Sequence, residues 1–222
     1  MMILAIDTAT RWLGLALHDG TAVVAEVGWR CLNNHTIELT PNLQQLMHRA
    51  NVSAADLEGI AVAMGPGSYT GLRVGLALAK GLALANQTPL LGIGTLDIVA
   101  AAFGPFPGQL WVVAEAGRTR ICTVPYEWEN GRGWQTSEIP TIESWDELLP
   151  RLEGRITFAG EITAEAVRKI KAANKTHQIA PPAAAVRRAG YLAELGWRRL
   201  RADDVDDAQT LAPIYLRDPA GN

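Results

Sequence analysis

Short apolar runs separated by turn residues set the rhythm of the first hundred positions. Residues 2–6 are uninterruptedly apolar and stop at Asp7, the pattern of a strand covered on both faces. A second run over 13–17 follows a tight connection, and Asp19-Gly20 marks a hairpin into a third strand over 21–27. Leu39, Leu43, Leu46 and Ala50 then fall on one helical face. Thr40-Pro41 reads as the N-cap and first-turn pair of that helix, with a start near Thr36 and Pro41 as a kink as the alternative. Ser53 to Asp56 has the S-x-x-D form of a capping box. Residues 59–64 make a further buried strand that ends at Gly65-Pro66-Gly67. A helix over 70–87, a strand over 90–93 and a helix over 95–102 complete the half.

Gly104-Pro105-Phe106-Pro107-Gly108 is the strongest punctuation in the chain, and it predicts a division into lobes of residues 1–104 and 105–222. Beyond it the pattern predicts a hairpin of strands over 110–115 and 119–126 around Ala116-Gly117. A strand over 155–158 and helices over 164–173 and 183–200 follow a stretch containing Gly and Trp. Three strands, helix, strand, helix is the order of an actin-like or ribonuclease-H-like half-domain. The expected class is therefore α/β, with a second, shortened copy forming the smaller lobe.

Composition narrows the function. Twenty Lys and Arg stand against 23 Asp and Glu, a net charge of -3, which disfavours RNA binding by the chain alone. Charge is nevertheless uneven: residues 151–201 hold 11 Lys or Arg and 4 Asp or Glu, while 202–222 hold one Arg and five Asp. A solvated helix face offset by an acidic tail is preferred here to an RNA-facing patch. Two distant cysteines, no basic leader and no apolar run of membrane length predict a soluble, cytoplasmic chain.

The chemistry-bearing residues are sparse. The four histidines, His18, His35, His48 and His177, include no H-x-x-x-H pair, so no metal site is expected. Ser68 lies at a strand-to-helix turn, but G-x-S-x-G is not met and an N-cap role is preferred to a nucleophile. A peptidase reading finds neither a metal pair nor a Ser/His/Asp set. Asp7-Thr8-Ala9-Thr10 joins two strands as a short acidic-hydroxyl turn that could face Mg²⁺ and a nucleotide phosphate through Asp7, Thr8 and Thr10. Its counterpart in the other lobe is only Ala159-Gly160-Glu161, so half a nucleotide site is visible. An actin-like, ATP-dependent kinase or acyl transferase using Asp7 and Thr10 is the alternative function on those residues. The helix over 70–87 carries only Arg73 and Lys80 as charges and is apolar almost all round, which requires cover on nearly every side. A wholly internal helix and a subunit interface both satisfy that requirement, and Gly71, Gly75 and Gly81 would admit close helix approach.

Ile3-Leu4-Ala5-Ile6-Asp7-Thr8-Ala9-Thr10, then Gly65-Pro66-Gly67-Ser68-Tyr69-Thr70-Gly71-Leu72-Arg73-Val74-Gly75, then Pro213-Ile214-Tyr215-Leu216-Arg217 resemble the TsaB (YeaZ) family. Its members are accessory subunits in bacterial synthesis of threonylcarbamoyladenosine in tRNA. The resemblance implies a non-catalytic scaffold that supports a paralogue, TsaD, which carries the metal-binding H-x-x-x-H motif and performs the transfer. A small ATPase, TsaE, joins them on tRNAs reading codons that begin with A. No cofactor is implied for this chain itself; the assembled complex could take ATP, and tRNA is met only through that complex. Pairing, including a homodimer when alone, is implied through residues 36–50 and 70–87, which makes His35, Leu39, Leu43, Ser68, Tyr69, Leu72, Arg73, Leu76, Lys80 and Ala83 the candidate interface. Where the family usually has Asp-Ala-Arg, this chain reads Glu115-Ala116-Gly117-Arg118, so no role beyond shaping the hairpin passes to Glu115 or Arg118.

Overall fold

The computed structural model describes residues 2–31, 34–117 and 119–216. Its elements run β1 (Met2–Asp7), β2 (Trp12–His18), β3 (Val23–Arg30), α1 (His35–Ala50), β4 (Leu57–Ala63), α2 (Tyr69–Asn86), β5 (Leu90–Ile93) and α3 (Thr95–Ala100). They continue as β6 (Gln109–Glu115), β7 (Arg120–Glu129), β8 (Gly133–Gln135), β9 (Thr141–Ser144), α4 (Trp145–Leu148), β10 (Ile156–Gly160), α5 (Ala164–Ala173), β11 (Gln178–Ile179), α6 (Pro182–Ala185) and α7 (Ala189–Arg201).

Two compact units result: residues 1–98 with 187–214, and residues 99–186 with 215–222. The linear division at residue 104 therefore does not describe residues 187–214, because α7 returns to the first sheet. That sheet has the order β3-β2-β1-β4-β5, with β1, β2 and β3 antiparallel and β1, β4 and β5 parallel. Alternation along β1 sends Leu4 and Ile6 to the side of α1 and α2, where they meet Leu39, Leu43, Leu46 and Leu76. Ile3 and Ala5 point the other way, against Ala189, Leu192 and Ala193 of α7. Gly14 admits Ala189 and Gly196 sits over Ala61, so α7 lies close to the strands. The continuous apolar run of β1 is explained by helices on both faces.

The second unit repeats the plan in reduced form. β6 pairs antiparallel with β7, which pairs with β9, and β6 pairs in parallel with β10, which pairs with β11. β8 extends the far end of β7. This is the two-lobed actin-like arrangement expected from the sequence.

Three elements differ from the pattern-based boundaries. α1 starts at His35, as the alternative start near Thr36 expected, with Pro41 inside it and removing the N–H that would bond the Ile37 carbonyl. β8, β9 and α4 emerge from the Gly- and Trp-containing stretch, with Ser144 and Glu147 closing a capping box on α4. The helix expected over 183–200 is broken: Val186 and Arg188 are extended, separating α6 from α7. After α7, residues 203–214 cross the first unit as a strap, with Asp206 N–H donating to Leu90 O at 2.9 Å and Ile214 N–H to Met64 O at 2.8 Å.

Candidate functional site

The acidic turn between β1 and β2 is the best-built polar feature of the first unit. Asp7 is fully buried, and its Oδ1 accepts from Ala9 N–H at 2.9 Å, which ties the turn to itself. The helix break at Val186–Arg188 turns the Arg187 side chain inward beside it. Arg187 Nε donates to Asp7 Oδ2 at 2.8 Å, and a terminal nitrogen donates to Thr10 Oγ1 at 2.7 Å and Trp12 O at 3.3 Å. Only 4% of the Arg187 surface is exposed. A guanidinium thus stands where a carboxylate and a hydroxyl would face a bound cation. Thr8 is occupied as well, its hydroxyl donating to Gly71 O at 2.7 Å.

In the second unit the turn after β10 has the complementary arrangement. Gly160, at φ 107, lies against Val113 O, where a Cβ would collide. The Glu161 carboxylate accepts from Glu115 N–H at 2.8 Å, so a backbone donor at the β6 end faces an internal carboxylate instead of a phosphate oxygen. Within the first unit, Asp7 and Thr10 are thus engaged by the chain's own guanidinium, and Thr8 by the Gly71 carbonyl. Arg118, in the β6–β7 turn, lies outside the described residues.

The Gly65–Gly75 motif explains itself by proximity to the acidic turn. A Cβ at Gly67 would overlap Ala9 O, one at Gly71 would overlap Thr8 O, and one at Gly75 the Thr8 hydroxyl. Ser68 N–H donates to Ala9 O at 2.6 Å, while its hydroxyl accepts from Gly71 N–H at 3.2 Å as the N-cap of α2. Ser68 is a cap, as expected. Gly71 and Gly75 admit the turn, not a second helix, which corrects their assignment to helix–helix approach. For Gly81 nothing within 4 Å would meet a Cβ. His35 is buried with Nε2 3.1 Å from Thr10 O. Because that partner is a carbonyl, Nε2 carries the proton and is not a base.

The candidate interface residues fall into two groups. Leu39, Leu43, Leu72, Leu76 and Ala83 are buried in the unit's own core, none more than 6% exposed. They are not surface residues, and a charge at Leu76 would enter the core instead of an interface. Lys80 is half-buried, with Nζ 3.5 Å from Gln209 O of the strap. Ser68, Tyr69 and Arg73 are exposed, the Arg73 guanidinium lying 3.9 Å from the centre of the Tyr69 ring. With Ala77, Gly81 and Leu84 they form the outward stripe of α2. Leu84 is 68% exposed and Ile37 of α1 71% exposed. The pattern could not separate Leu84 from Leu76, because the helix is apolar on both sides.

Other groups carry little chemistry. Burial pushes the Cys122 thiol up to about 12 and raises that of Cys31 above its usual range, so neither is a nucleophile at neutral pH. Among the described residues, no three His, Cys, Asp or Glu side chains gather as metal ligands, and no helix is long and apolar enough to cross a membrane.

Residues 30–221 match the family model described as TsaD, tRNA N6-adenosine threonylcarbamoyltransferase. The tRNA threonylcarbamoyladenosine biosynthesis protein TsaB of Bacillus subtilis is 32% identical over 98% of this chain and 94% of its own length. The Escherichia coli protein of the same name is 31% identical over 72% of this chain and 71% of its own. Among solved structures, YeaZ from Pseudomonas aeruginosa has the same fold, with a TM-score of 0.81 at 21% identity, covering 97% of this chain and 99% of that one.

Proposed function

The chain belongs to the TsaB (YeaZ) family, and from that premise we propose that it acts in tRNA threonylcarbamoyladenosine synthesis as a non-catalytic subunit paired with a TsaD-like transferase. The observation that carries the non-catalytic role is the Arg187 guanidinium held between Asp7 and Thr10. An ATP-dependent kinase or acyl transferase on those residues would have to displace an ion pair already satisfied in a buried turn. The H-x-x-x-H spacing of the catalytic paralogue is also missing from the sequence.

Pairing is assigned to the outer face of α1 and α2, through Ile37, Tyr69, Arg73, Ala77, Gly81 and Leu84. Large apolar side chains exposed around two small ones give a face that a second helix pair can approach closely and dehydrate. In isolation the same face serves a homodimer, so homodimer and transferase compete for it. A TsaE-like ATPase completes the assembly, ATP enters through that subunit, and tRNA is met in the complex.

The test is threonylcarbamoyl transfer to tRNA by the matching TsaD-like and TsaE-like proteins, with and without this chain. Modification is expected only when the chain is present. Leu84→Glu and Ala77→Glu are expected to abolish pairing on gel filtration and transfer together, with far-UV circular dichroism unchanged. Equal modification in both tubes overturns the function, and pairing retained by both variants moves the interface off α2.

A further inference from the structure

Between Ala166 and Ala193 the chain has no Asp or Glu, yet it holds Arg168, Lys169, Lys171, Lys175, Arg187 and Arg188. Folding brings acids from elsewhere to three of these six. Lys169 Nζ reaches Asp146 at 2.7 Å, Arg187 reaches Asp7 at 2.8 Å, and Arg188 pairs with Glu26. The remaining three, Arg168, Lys171 and Lys175, are exposed, and among the described residues no ion pair involves them. The lobe that carries them has nine Lys and Arg against ten Asp and Glu over residues 99–186. Its cations are therefore not in surplus overall, but four of the nine, Arg168, Lys169, Lys171 and Lys175, gather in one place within residues 168–175.

That place is one side of α5 and the turn after it. Ala166 and Ile170 face inward, Arg168 and Lys171 stand outward three residues apart, and Lys175 follows the C-cap Asn174. Favourable interaction with the helix C-terminus accounts for Lys171 in the last turn, but it fades within that turn and leaves Arg168 unexplained. The neighbouring exposed residues are Thr163, Ala164, Glu165, Ala172, Ala173, Thr176 and Gln178, with no large apolar side chain among them, and the one acid, Glu165, lies 3.8 Å from Lys169 Nζ. A protein partner takes its binding energy from buried aromatic or aliphatic anchors, which α1 and α2 offer and this face does not. A polyanion needs only accessible cations, whose neutralisation of phosphates releases counterions.

We infer that Arg168, Lys171 and Lys175 form a contact surface for the phosphate backbone of the tRNA substrate. This rests on the tRNA-modification function above. It also fits a net charge of -3: the chain is a poor RNA binder alone, but it extends the footprint of a partner that holds the tRNA.

The test uses the reconstituted complex with tRNA and the triple variant Arg168→Gln/Lys171→Gln/Lys175→Gln. The KM for tRNA is expected to rise about tenfold with kcat unchanged, and the slope of log KM against log salt to fall by about two to three. Pairing with the transferase should persist, and Arg168→Lys/Lys171→Arg/Lys175→Arg should behave as wild type. A KM and salt slope within twofold of wild type overturn the inference. Lost pairing with unchanged KM per assembled complex also overturns it, by making this a protein-docking face. If the wild-type chain itself adds nothing to modification, the underlying function fails and the tRNA contact falls with it.

Discussion

Arg187→Met removes the guanidinium beside Asp7 while keeping most of the side chain's bulk. In the native chain Asp7 is 0% exposed and Arg187 4% exposed, and the guanidinium satisfies Asp7, Thr10 and the Trp12 carbonyl at 2.8, 2.7 and 3.3 Å. Taking one member from a buried pair strands the other charge in a low-dielectric site, at a cost of about 3–5 kcal/mol. With a urea m-value of about 1–3 kcal/mol per M, the unfolding midpoint should fall by about 2 M. Asp7→Asn/Arg187→Met removes the stranded charge as well, so the double variant should be more stable than the sum of the single losses predicts. The four members of this cycle can be compared by urea titration followed with far-UV circular dichroism. A loss below about 1 kcal/mol in Arg187→Met, or strictly additive single losses, would refute the idea that this pair closes the turn.

Two further outcomes follow from burial. Because the Cys122 thiol is pushed up to about 12 and that of Cys31 is also raised, both should resist alkylation by iodoacetamide at pH 8 in the native chain and react fully in denaturant; mass spectrometry of the quenched protein reads this directly. Burial against Phe158 lowers the His177 pKa, so the unfolded chain binds the proton more readily and stability falls as pH drops below about 6.5. His177→Phe should remove that component, which amounts to at most about 1.4 kcal/mol per pH unit in unfolding titrations between pH 7 and 5.

The first lobe was legible because its signals are local. Five strands and three helices follow from apolar runs, turn dipeptides and caps, and Ser68 caps α2 as its position suggested. The constellation that decides the chemistry was not legible. Arg187 meets Asp7 across 180 residues of sequence, and the surrounding alanines read as one uninterrupted helix. Its signal was an arginine in an acid-free stretch, which acquires meaning only when a distant carboxylate is brought to it. The proposed interface was half legible for a related reason. Periodicity marks α2 as covered on several sides, but whether Leu76 or Leu84 faces the sheet depends on the rotation set by Gly67, Gly71 and Gly75 against the acidic turn. The charge surplus of residues 151–201 likewise split only in three dimensions, with Arg188, Arg198 and Arg199 paired with acids and Arg168, Lys171 and Lys175 left exposed.

The strap that follows α7 has a consequence for how the first lobe can associate. β5 is the last strand of its sheet, and its outer backbone groups would ordinarily invite another strand. Here Gly92 N–H donates to the Asp206 carboxylate at 2.7 Å, Leu90 O accepts from Asp206 N–H at 2.9 Å, and Gly92 O accepts from Arg199 at 2.7 Å. One aspartate and one arginine therefore terminate the ladder where a sixth strand would have continued it. Among the described residues, the other end of the sheet is β3, so growth by strand addition is directed to that side.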